Sequence, residues 1–318
     1  LRLTAIQMTG LHGKAEGEFS VESPFAVRRY KADFRLGKIG VLDLSLLAGL
    51  ERVRFAGELS GTLKAACLDE GKQLTGEGHL SISEAPQESA AHGLTGRILP
   101  IRGELNFALS QWSSRFDRSF IRFGQSTLQF VGTVSARDAS SLRVEARSED
   151  LSDFDFALPE LKGKGSLLGV VEGTQSQPTA RGSFVVNNVS YQKYSADHVQ
   201  GQFTADRRAI DLVNVDLVRQ SSRIKVRGQV FLDPSNLTPT GDVHLLAAMR
   251  DVTIEDLLAT AGQSYPLSGN VSGDFMATGK YPTIELQGVA NVRNGRALDQ
   301  PYEQGRFEIH YKEPVLDV

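Results

Sequence analysis

The residue types that could do chemistry are scattered along this chain. The six histidines, His12, His79, His92, His198, His244 and His310, form no HExxH and no other close pair, so their spacing offers no metal-ligating set. Ser272, within GNVSG, lacks the strand-turn-helix context of a nucleophile elbow. The stretch GKGSLLG at 163–169 has the glycine density of a phosphate loop but not the GxxxxGK[ST] spacing, and its alternation reads as a strand. Asp153 and Asp155 could pair as acid and base; alternating with Phe154 and Phe156 at a helix start, they are expected to cap that helix. Asn188, Asn236 and Asn270 open glycosylation acceptor triplets, chance matches in a bacterial protein and usable acceptors in a eukaryotic one. The single cysteine, Cys67, excludes an internal disulfide and any multi-cysteine zinc site. A carbohydrate-active enzyme would need clustered carboxylates flanked by aromatics, and none stands out among 7 Tyr and 1 Trp. The expectation is a protein that is no enzyme and needs no metal or cofactor.

Composition narrows the partners. With 40% hydrophobic and 23% charged residues the 318-residue chain is globular in type, not disordered. Its 35 basic and 38 acidic residues leave a formal charge of -3, and no polybasic run is present, which argues against nucleic acid or an anionic membrane surface as electrostatic partners. The 31 glycines, with few Met and Trp, mark a β-and-turn composition. No apolar run approaches the ~18 residues of a membrane-spanning helix. The chain opens at Leu1 in strand-like sequence and stops in strand-like sequence, as expected of an internal segment of a longer protein or of a processed product.

The elements that must position any site are strands. From Ser222 to Leu232, Ile224, Val226, Val230 and Leu232 fall on one side with Gly228, and Lys225, Arg227 and Gln229 on the other. The same alternation covers Leu128, Phe130, Gly132 and Val134; Leu142, Val144 and Ala146; Ile101 to Leu109; and Phe307, Ile309 and Tyr311. These are half-buried strands of an antiparallel sheet with one wet face. Helical periodicity is confined to Asp43–Leu50, Asp150–Leu158 and Thr253–Ala261. The last has a capping box in Thr253 and Asp256, with Gly262 beyond its final turn.

Those three stretches belong to an internal repeat. Each starts with Asp, an aliphatic residue and Ser or Thr, at Asp43, Asp150 and Asp251. Each is followed by Leu-x-Gly, ending at Gly61, Gly163 and Gly269, which lie 102 and 106 residues apart. Second glycines follow at Gly71, Gly173 and Gly279, and third ones at Gly78, Gly182 and Gly288. STLQFVGTV (126–134) further aligns with SRIKVRGQV (222–230). The organisation is a partial repeat at 1–42, full repeats at 43–149 and 150–250, and a partial one at 251–318, read as one continuous elongated β domain. Glycine in a strand costs about 0.5–1 kcal/mol relative to alanine. Its recurrence therefore marks either bends that coil the sheet or room for something lying against the backbone. Pro178 and Pro282 are expected in the turns between adjacent strands.

The segments LKGKGSLLGVVEGTQSQPTARGSFVVNN (161–188) and LSGNVSGDFMATGKYPTIELQGVANVRNG (267–295), with the helix starts before them, resemble the AsmA-like superfamily, in particular its TamB-type bacterial envelope members. The likeness extends over most of residues 40–310 and consists of Gly, Pro, Asn and alternating aliphatics. It implies an all-β fold with a few short helices, a long antiparallel sheet coiled into an elongated open trough. It also implies a periplasmic location in a diderm bacterium, with an inner-membrane anchor outside this chain. The function implied is conduction of phospholipid between inner and outer membranes, with support of outer-membrane protein assembly through an outer-membrane barrel partner contacted by a segment not present here. The partners are then phospholipid acyl chains and not nucleic acid. Candidate groove-lining residues are Leu128, Phe130, Val134, Leu142, Val144, Phe184, Val186, Ile224, Val226, Val230, Leu232, Leu286, Val292, Phe307 and Ile309. About two dozen strands at ~4.8 Å spacing would make a rod on the order of 115 Å. Alternation alone fits equally a structural or adhesive β-solenoid whose apolar stripe is a closed core.

Overall fold

Residues that alternate in the sequence form strands. A computed structural model of the chain describes residues 1–22, 27–47, 55–69, 72–85, 98–155, 158, 160–174, 176–235, 239–280, 283–297, 300–312 and 315–317. Of these described residues 79% are in strands and 6% in helices, which makes the fold all-β. The chain divides into two compact units, residues 1–148 with 170–176, and residues 149–169 with 177–318.

The first unit is an antiparallel meander of β1 (Arg2–Gly10), β2 (Gly13–Glu22), β3 (Arg29–Gly40), β5 (Glu58–Leu68), β6 (Lys72–Ser83), β7 (Leu99–Ser110), β8 (Ser113–Phe123), β9 (Ser126–Ser135) and β10 (Ser140–Ser148), each paired with the next in that order. Helix α1 (Val41–Leu47) and the two-residue β4 (Phe55–Ala56), which runs parallel to β7, sit between β3 and β5. The second unit holds most of β11 (Leu161–Gly173), then the meander β12 (Pro178–Tyr191), β13 (Tyr194–Ala205), β14 (Ala209–Arg219), β15 (Ser222–Leu232), β16 (Pro239–Thr253), β17 (Leu267–Lys280), β18 (Thr283–Ala297), β19 (Gln300–Lys312) and β20 (Val315–Asp317), with α2 (Ile254–Thr260) between β16 and β17. Among the described residues no pairing closes either sheet into a barrel.

The repeated glycines divide into two physical roles. Gly61, Gly163 and Gly269, the Leu-x-Gly set, have φ of +148°, +123° and +132°, and the aligned Gly132 and Gly228 have +133° and +137°. A Cβ is strained there, so these glycines bend the strands. The third glycines keep ordinary φ but lie beneath aromatic rings: Gly78 under Phe107, Gly182 under Phe203, Gly288 under Phe275. Both readings of the glycines therefore apply, at different positions. Gly71 and Pro282 fall outside the described residues, and Pro178 is the first residue of β12.

The helical expectations need three corrections. Helix α1 starts two residues before Asp43, where the Val41 N–H donates to Gly57 O at 2.9 Å, and residues 48–50 lie outside the described set. The expected helix at Asp150–Leu158 is only a 3-10 turn, Leu151–Phe154; Pro159 disfavours helical geometry at Leu158, and Phe156 lies outside the described residues. Its cap is Asp150, whose Oδ1 accepts from the Ser152 N–H at 3.0 Å, rather than Asp153 or Asp155; Asp153 is buried in the first turn. For α2 the Thr253 cap holds, accepting from the Asp256 N–H at 3.2 Å, but the box is not reciprocal. The Asp256 carboxylate instead accepts from Ser222 Oγ, which itself accepts the Thr253 N–H at 3.0 Å. Gly262, at φ +66°, ends α2 in a Schellman motif, with Gly262 N–H donating to Ala259 O and Gln263 N–H to Leu258 O.

Candidate functional site

Directly paired residues of adjacent strands point to the same face, so the register can be followed across each sheet. In the second unit one row runs Phe184, Gly201, Val215, Val226, Ala247, Phe275, Gly288, Ile309. The next runs Val186, Val199, Leu217, Ile224, Met249, Gly273, Ala290, Phe307. On the other side lie Gly182, Phe203, Leu212, Gly228, Leu245, Ala277 and Leu286, and beyond them Ala180, Ala205, Ile210, Val230, Val243, Gly279 and Ile284. No polar side chain interrupts any of the four rows.

The first unit repeats the pattern. Ile6, Gly17, Phe34, Leu63, Gly78, Phe107, Phe116, Gly132 and Leu142 form one row from β1 to β10. Ile39, Leu59, Ile82, Gly103, Ile121, Leu128 and Ala146 form another. Phe107, Phe116 and Phe130 make a ring ladder, with centroids 6.3 and 5.2 Å apart.

The opposite faces carry the charge. Asp216, Lys225, Ala248, Asp274, Val289 and Glu308 form one outer row of the second unit, and Glu18, Asp33, Lys64 and Glu77 one of the first. A depression of about 1190 Å³ is lined by Lys225, Asp274 and Glu308 of this row, by Arg227 and His310, and by Val226, Phe275 and Ile309. Its mixed signs suit no single charged ligand. Nearby, the hydrogen bond from His310 lowers the Glu285 carboxyl below its ordinary range, a solvent-exposed interaction.

Burial of the apolar faces is uneven. In the second unit Val271, Phe275, Ala290 and Val292 are buried as a cluster against which Ile254 and Leu257 of α2 pack. Elsewhere on that face many side chains, including Phe184, Val186, Val226, Val230, Leu232, Leu286, Phe307 and Ile309, are only half-buried. Val215, Ile224 and Val252 are buried. In the first unit Leu128, Phe130, Leu142 and Val144 are half-buried, and Val134 is 42% exposed near the end of β9, opposite Ser114. Cys67 shares this face, in register with Val21 and Tyr30.

All fifteen sequence-named residues thus fall on the apolar alternation of their own sheet. The sequence reading missed lining residues wherever a bulge breaks the alternation. In β14 the parity changes at Val213 and Asn214, between Leu212 and Val215. In β8 it changes around Arg118 (φ +44°), between Phe116 and Ile121, and in β16 around Asp251 (φ +56°), between Met249 and Val252. A three-residue step between aliphatics inside a strand is the signal that could have found them.

Among the described residues no group of His, Cys, Asp or Glu is arranged to hold a metal, and no helix is long and apolar enough to cross a membrane. No protein-family model, curated protein or solved structure matches this chain.

Proposed function

We propose that the apolar faces bind the acyl chains of phospholipid and let them move along the sheet, as in a bridge-like lipid conduit of the AsmA-like, TamB type. One observation carries this reading: uninterrupted apolar rows run from β1 to β10 in one unit and from β12 to β19 in the other while most of their side chains stay only half-buried. A closed core of this extent would bury them, and a contiguous apolar surface beyond a few hundred Å² marks a binding surface. At ~4.8 Å per strand the longest row of the first unit extends about 38 Å and that of the second about 34 Å. Both exceed the ~15 Å that one acyl chain occupies in half a bilayer core. Each CH₂ kept from water is worth about 0.8 kcal/mol, so a continuous row removes a barrier that an interrupted one would restore. In this reading the protein is not an enzyme. It works in the periplasm of a diderm bacterium, held by an inner-membrane anchor outside this chain, and it supports outer-membrane protein assembly through a further segment.

The competing reading, a structural or adhesive β-solenoid with a closed core, draws on the buried cluster beneath α2. Mass spectrometry of organic extracts of the purified protein separates them. Co-purifying phospholipid, together with rebinding of fluorescent phospholipid after delipidation, is the expected result. A delipidated protein that binds no lipid overturns the conduit in favour of the solenoid.

A further inference from the structure

Trp112 is the only tryptophan of the chain and is 40% exposed. It lies in the turn between β7 and β8, at the position that continues the apolar alternation of Phe116 and Ser114. It is therefore at the margin of the apolar face, where the row ends in the exposed Val134. The neighbouring turn, between β9 and β10, brings Arg137 over the indole, its Cζ 3.4 Å from the ring centroid.

The two turns are fastened together. The Ala136 N–H donates to Trp112 O at 2.7 Å, and Ser135 Oγ donates to the same carbonyl at 3.3 Å. Ser135 is 3% exposed and its Oγ also accepts the N–H groups of Arg137 and Asp138, at 3.3 and 2.9 Å, which fixes the turn that presents the guanidinium. Arg147, Arg219 and Arg250 each hold a carboxylate; Arg137 makes no ion pair among the described residues. An indole has an apolar body and a polar tip, suited to a boundary between apolar surface and water. A guanidinium stacked on it keeps in-plane donors that match a phosphate.

We propose that Trp112 and Arg137 form a headgroup subsite, in which Arg137 donates to the phosphate of a phospholipid whose acyl chains enter the apolar face beside Trp112. The subsite rests on the lipid-binding reading above and adds to it a defined point of headgroup contact. Selection for phosphate at this margin would favour phospholipid over neutral diacyl lipid.

Trp112 reports on itself, because no other tryptophan contributes fluorescence. Delipidated protein is titrated with phosphatidylglycerol or diacylglycerol carrying brominated acyl chains, both delivered in nonionic detergent micelles, and lipid loading is measured separately by extraction. The expected result is quenching of Trp112 by phosphatidylglycerol at about tenfold lower concentration than by diacylglycerol, and loss of that difference in Arg137→Gln. Equal midpoints in the unmodified protein, or a difference that survives Arg137→Gln, would overturn the subsite. So would normal loading without quenching, which leaves the apolar face as a lipid site and moves the headgroup elsewhere. Inorganic phosphate that displaces phosphatidylglycerol at matching concentration would show a free-anion site and overturn the lipid assignment. Absence of loading by either lipid would remove the groove and the subsite together.

Discussion

The ring of Phe275 lies over Gly288, its direct partner across β17 and β18, so closely that a methyl group on Gly288 would collide with it. Phe107 over Gly78 and Phe203 over Gly182 repeat the relationship. The missing side chain is filled by its neighbour's ring, which keeps the apolar row continuous without a ridge.

Gly288→Ala is accordingly expected to destabilise the protein by about 1–3 kcal/mol, the usual range for overpacking. Pairing it with Phe275→Leu should recover part of the loss, because the branched side chain is smaller than the ring. Urea unfolding of the two single variants and the double variant measures the coupling. Strict additivity would show that the ring and the glycine do not interact energetically.

Val226 sits half-buried on the apolar face and Lys225 exposed on the charged one. Val226→Asp should abolish lipid loading while the protein stays folded, since on an open face the carboxylate remains hydrated until lipid arrives. In a closed core the same change would unfold the protein. The control is Lys225→Gln, because Lys225 faces Asp216 across the strands and an acidic residue there would add like-charge repulsion. Melting temperature and extracted lipid, measured together for both variants, decide the matter. Unchanged loading in Val226→Asp would place the lipid elsewhere.

Ser222 joins β15 to the start of α2 through its hydroxyl, which donates to the Asp256 carboxylate, accepts from the Thr253 N–H and lies 3.3 Å from Thr253 Oγ1. Ser222→Ala leaves the carboxylate and the N–H without that partner in a site where Ser222 is 2% and Asp256 4% exposed. A loss of about 1–3 kcal/mol is expected, concentrated in α2. Hydrogen exchange resolved by residue should show faster exchange in residues 254–260 than in β15. A uniform change along the chain would mean that α2 is not held by this contact.

What the sequence determined by itself is local. Alternation at Ile224, Val226, Val230 and Leu232 was legible because a strand's side chains change face every residue, and the spacing of Gly61, Gly163 and Gly269 exposed the repeat because a positive φ tolerates little else. Helix α2 was legible at both ends, since Thr253 and Gly262 act on the backbone next to them. Wherever the outcome depended on a partner distant in the chain, tertiary structure decided. Ser222, 34 residues before Asp256, took the place of the capping-box bond. The bulges at Asn214, Arg118 and Asp251 carried Val215, Ile121 and Val252 back to the apolar face against the simple count. The meeting of Trp112 with Arg137 had no sequence signal at all, because it arises from two turns being brought side by side by the pairing of β8 with β9. Pairing register, a property of neighbouring strands and not of either strand alone, turned scattered apolar residues into continuous rows.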